Sequence, residues 1–122
     1  MTTEFNNFSL SGSIPADDSR QEEWATQRAS RGFDNTELWN LDSTIAKFIL
    51  PRLVAFRTRA EVVGYPGQYS SAEEWQAIMD EMIFAFGFIA GDAKFDTHSD
   101  EIDARISKGL ALFAENLMCM WD

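Results

Sequence analysis

The side chains with the most chemical potential gather in one loop, where Asp92, Asp96, Asp100 and Glu101 flank His98, the chain's only histidine. Carboxylates beside an imidazole suggest a divalent cation. A calcium loop, however, needs oxygen ligands at alternate positions, a central glycine for the sharp turn and a closing bidentate glutamate. Counted from Asp96, Glu101 stands where the glycine belongs and Ser107 where the glutamate belongs. The pattern predicts a solvated loop that caps the next helix, and no metal. The sequence assigns His98 no serine or cysteine with which to build a nucleophilic triad. Gly87, Gly91 and Gly109 stand singly, without the Lys-Ser/Thr pair of a triphosphate loop. The adjacent carboxylates Glu73–Glu74 and Asp80–Glu81 fall on the polar face of a helix, where water is the neighbour. The expectation is no catalytic residue, no cofactor and no enzyme.

Two other constellations are less easily dismissed. Asp42 falls at the edge of an apolar helical stripe and Arg52 near its centre line. Charged groups in such places are costly unless paired. Either Arg52 snorkels to water and Asp42 is hydrogen-bonded at a helix junction, or the two join Trp39 and Tyr65 as the walls of a polar pocket. Lys47, Arg57 and Arg59 lie on the same helix, so that pocket would favour a small anion such as a nucleotide signal. The second constellation is Phe84 and Phe88, one turn apart and opposite Trp75, Met82 and Phe86. Aromatic rings on the back of a helix are covered by another segment or form a contact between subunits. A two-fold copy of the helix would bury four such rings, which makes a homodimer one expectation.

The elements that must carry these residues are helical. Ser19 with Glu22, Asp34 with Glu37, and Ser71 with Glu74 each fit a capping box, in which side chains satisfy the first free N–H groups of a helix. They predict helices near 20–30, 35–60 and 72–90, with Gly32 and Gly91 as terminators. Leu38, Leu41, Ile45, Ile49, Leu53 and Phe56 make one stripe on the second helix, which contains Pro51 and should kink there. Val63 to Gly67 reads as a type II turn with Gly67 at positive φ. A last helix near 100–120 carries Ile102, Ile106, Gly109, Leu110, Phe113, Leu117 and Trp121 in register. Residues 1–16 have no helical period and read as a flexible arm. The expected fold is all-α: a bundle of three main helices plus a short N-terminal helix, with 17–122 as a single helical domain.

Composition narrows the function further. The chain has 122 residues and a net charge of −10, unevenly spread. Residues 1–59 hold eight acidic and seven basic side chains, whereas 60–122 hold twelve and three. Such a field repels phosphates, whose binding needs cations that displace counterions, so no nucleic-acid contact is expected. Nor is a membrane contact. The single Cys119 excludes an internal disulfide. No apolar run is long enough to cross a bilayer, and the first residues lack a basic-then-apolar signal. A cytoplasmic protein is expected.

The stretches Leu38-Trp39-Asn40-Leu41-Asp42, Ala46 through Leu53, Trp75 through Phe86, Lys108 through Phe113 and Trp121-Asp122 also resemble a family of small uncharacterised proteins of tailed bacteriophages. The likeness spans about 31–122. It implies a viral accessory protein in the infected bacterium and no particular chemistry. Together with small size and acidity, it points to binding of a host protein, a defence component for example. A small-ligand binder built around Trp39, Asp42 and Arg52 is the alternative.

Overall fold

The computed structural model describes residues 9–11, 15, 17–91 and 99–121, and among these there is no strand. The fold is an all-α bundle of three long helices and a short N-terminal one. In order these are α1 (Gln21–Arg31), a 3-10 turn at Asn35–Leu38, α2 (Leu41–Val63), α3 (Ala72–Ile89), α4 (Asp100–Asn116) and a second 3-10 turn at Leu117–Cys119. Asp92, Asp96 and His98, the core of the acidic loop, lie outside the described residues, as do most of residues 1–16. The chain divides into two compact units, Met1–Ile45 and Ala46–Asp122.

The first unit is organised by a buried charge. Asp34 has no solvent exposure, and its carboxylate takes a 2.5 Å ion pair from Arg28 of α1. It also accepts the Thr36 hydroxyl and the Thr36 N–H, while Glu37 accepts the Asp34 N–H in return. The expected Asp34–Glu37 capping box is therefore present, but it caps the 3-10 turn and not the long helix. The Ser9 and Ser11 hydroxyls lie 3.2 and 2.9 Å from that of Thr36, which ties residues 9–11 to the same knot. The Ser19 box does not form: Arg20 holds the cap position of α1 without a side-chain bond, and Asp18 grips Arg20 instead. Gly32 ends α1 in the left-handed region at φ 87°, as its spacing suggested.

In the second unit α2 and α3 face each other through unequal partners. Ala46, Leu53 and Ala60, seven apart, are the buried residues of α2, and Trp75, Met79, Met82 and Phe86 fill the opposing face of α3. The small alanines leave room for the large side chains opposite, the alternation that dense packing demands. The expected α2 stripe holds in its second half, where Leu53 is buried and Ile49 and Phe56 pack against the core, and fails in its first members Leu38, Leu41 and Ile45, which are exposed. Helix α2 continues through Pro51. Across α3 and α4 the controlling contact is Gly109. A Cβ there would stand 2.3 Å from the Glu81 carbonyl oxygen and 2.7 Å from Ala85 Cβ. One turn away, Arg105 clamps Glu81 through two 3.0 Å bonds and holds its carboxyl below the usual range. The α4 register also shifts: Asn116 is buried where α4 ends, and Leu117 and Trp121 are exposed.

Two outcomes follow from these contacts. Gly109→Ala gains about 1 kcal/mol of helix propensity, yet overpacking of about 1–3 kcal/mol should outweigh it. Urea unfolding should show a net loss, and a more stable variant would mean that the helices part without cost. For Asp34, burial opposes the charge, but the bonds from Thr36, Arg28 and Ser9 together hold its carboxyl below its ordinary 3.8. A depressed carboxyl contributes stability that is present above the ordinary value and lost as pH falls through the folded one. Arg28→Met, which strands the buried carboxylate, should cost about 3–5 kcal/mol at neutral pH and progressively less as acidification protonates that carboxylate. A cost that does not change with pH would show that Asp34 is not the source.

Candidate functional site

Helix α2 stops for a local reason. Gly64, at φ 106°, donates its N–H to the Ala60 carbonyl oxygen at 3.0 Å, and Pro66 cannot continue the helical ladder. The left-handed residue of this turn is Gly64, not Gly67, and the turn closes by the Tyr69 N–H bonding to Pro66 O at 3.1 Å. The α4 chain ends beside it in the 3-10 turn Leu117–Cys119. Between these two endings lies a cavity of about 400 Å³.

Its walls are built from the inside outward. Trp75, only 2% exposed, and Phe56 and Ala60 of α2 line the inner part. Tyr69 stacks on Trp75 with ring centres 5.4 Å apart, and its hydroxyl donates to the Asn116 side-chain oxygen. Asn116 in turn donates to the Leu112 carbonyl at 2.8 Å, so a buried amide joins the turn after α2 to the end of α4. The Gln68 side-chain amide donates to Cys119 Sγ at 3.4 Å and ties the two outer walls. Outside, Met118 and Trp121 are 87 and 77% exposed, with Val63 and Tyr65 about half exposed. A large apolar rim around an aromatic-walled depression is the signature of an interaction surface.

The electrostatics of this end are negative. Among the described residues no charged side chain lines the cavity. Two helical segments end here, and each C-terminus carries the equivalent of about half a negative charge. Glu61 and Glu115, next to Val62 and Asn116, are exposed. Arg57, one turn from Glu61, is shared between two acids: it lies 3.8 Å from the Glu61 carboxylate and 2.6 Å from that of Asp80.

The residues singled out by sequence are placed as follows. Tyr65 lines the cavity. Trp39 packs edge-on against Trp24 at 5.8 Å, with Arg20 over both rings. Of the two readings for Asp42 and Arg52, the local one fits and the pocket does not: both are exposed and bonded within their own helix. Asp42 accepts the Ser43 N–H, while Arg52 stacks 3.9 Å over Phe48 and donates to its carbonyl. Their helix satisfies each charge within a turn, so neither needs a pocket. Phe84 and Phe88 are half-buried, and the Arg105 guanidinium lies 3.8 Å over the Phe84 ring. Among the described residues no group of three metal-ligating side chains comes together, and no helix is long and apolar enough to cross a membrane.

What sequence inspection missed is the rim: Met118 and the outward turn of Trp121. A signal was present in Asn116, a polar residue between Phe113 and Leu117 whose burial needs partners on both sides of its amide, here Tyr69 and Leu112. Tyr69→Phe removes the donor to buried Asn116 and should cost about 1–3 kcal/mol. It should also raise the solvent quenching of tryptophan fluorescence, and unchanged stability would mean that the amide latch is dispensable. No family model, no curated protein and no solved structure matches this chain.

Proposed function

We propose that the chain acts by binding a protein partner at the apolar end of its second unit, and that it is not an enzyme. The observation that carries this is the rim of Met118 and Trp121, two large apolar side chains each more than three-quarters exposed at the mouth of one cavity, with half-exposed Val63 and Tyr65 beside them. Interfaces of this kind gain their energy from a few buried aromatic and aliphatic anchors. The partner surface that fits is an apolar segment with basic neighbours. Two helix C-termini, Glu61 and Glu115 make this end negative, and opposite charge on the partner would steer and register the encounter. A small anion is the poorer fit, because no cation lines the cavity to receive it. The resemblance to small phage proteins would place the partner in the infected bacterium, as a host protein of the cytoplasm.

Bacterial lysate passed over the immobilised wild type and over Met118→Glu and Trp121→Glu variants tests this. A partner should be retained by the wild type, weakened at least tenfold by either variant, and released as salt rises. Helicity of the variants, read by circular dichroism, should be unchanged because both side chains point to water. Retention of the same proteins by wild type and both variants would place the contact elsewhere.

A further inference from the structure

The rim explains affinity for apolar groups, but the cavity inside it has a different character. Four of its walls are aromatic: Phe56, Tyr65, Trp75 and Trp121. Gln68 directs one amide hydrogen to Cys119 Sγ, and its side-chain carbonyl is an acceptor in the same wall. Beyond Ala60, whose oxygen receives Gly64, the last carbonyls of α2 have no helical N–H to receive. The ends of α2 and of the α4 extension add their negative dipoles to this region.

We infer that this cavity receives the ammonium or guanidinium group of a lysine or arginine side chain carried by the partner. Aromatic walls attract a cation through the negative faces of their rings, most strongly when water is excluded. The unfilled carbonyls and the Gln68 oxygen supply acceptors for its N–H groups. An anion would meet acceptors and negative dipoles. A purely apolar side chain would desolvate those carbonyls without replacing their hydrogen bonds. The methylene stem of lysine or arginine would instead lie along Met118 and Val63 while the charged head sits between the rings, a division of labour natural to these side chains. The volume of about 400 Å³ falls within the span of small-molecule sites and exceeds what one such head needs.

The assignment rests on the docking role proposed above, and small probes test it without the partner. N-acetyl-lysine amide, N-acetyl-arginine amide and N-acetyl-norleucine amide share a backbone and differ at the tip of the side chain. Putrescine represents a free amine. Each is titrated into uniformly labelled protein while the amide resonances of Tyr65, Gln68, Cys119 and Trp121 are followed. The lysine and arginine compounds should shift these amides saturably and bind at least fivefold more tightly than the norleucine compound. Trp121→Leu, which keeps apolar bulk and removes a ring, should erase that preference. Equal or tighter binding of norleucine overturns the inference in favour of an apolar anchor. Tighter binding of putrescine than of either cationic amide overturns it in favour of a free amine, and the absence of any shift overturns it outright. If the cationic preference fails while Met118→Glu still loses its protein partner, the docking role stands and only the cavity's occupant is wrong.

Discussion

The approach of α4 to α3 at Gly109 is the constraint on which the second unit depends. With the Glu81 carbonyl only 2.3 Å from where a Cβ would sit, α4 can present no side chain at that point. Its rotation about its own axis is thereby set. Arg105 then falls on Glu81 and Phe84, Phe113 meets Phe86 edge-on at 4.9 Å, and Asn116 arrives at Tyr69. The same rotation sends Leu117, Met118 and Trp121 outward. The rim is thus a geometric consequence of packing elsewhere.

The first unit uses an opposite strategy. Its buried residues include Arg28, Asp34, Thr36 and Glu37, so polar pairing does much of the organising there. Such a knot contributes little net stability over an apolar replacement, because desolvation consumes most of the attraction. What it does supply is direction: each donor has a particular acceptor, and the turn after α1 can adopt few other shapes.

Helix existence was legible because it is written in long periodic runs and in caps. Ser71 and Gly32 perform the roles that their positions suggest, and Asp34 caps the 3-10 turn ahead of the long helix in place of the helix itself. Ser19 does not, since Asp18 and Arg20 satisfy each other first. The faces were harder. Ala46 and Ala60 carry so little apolar area that a stripe drawn through the larger residues omits them, although Ile49, Leu53 and Phe56 of that stripe belong to the same core. Which small residues are buried beside Trp75 and Met79 is a property of two helices together. Tyr65 was assigned to a pocket with Trp39, Asp42 and Arg52 and lines a different cavity, whereas Leu117 and Trp121 looked like the end of a core stripe. The α-helix ends at Asn116 and a 3-10 turn follows, so the 3.6-residue period does not extend to Trp121.

An uncovered apolar end has to coexist with copies of itself. At a net charge of −10 each molecule repels the next before its rim can meet another, so Coulomb repulsion acts as the brake on self-encounter. That brake is set by ionised carboxylates, and it weakens as the solution approaches the isoelectric point near 4.4. The colloidal behaviour of the protein is therefore coupled to acidity and ionic strength through residues remote from the rim. Where the surrounding medium is acid or salty, the exposed apolar end loses the repulsion that keeps copies apart.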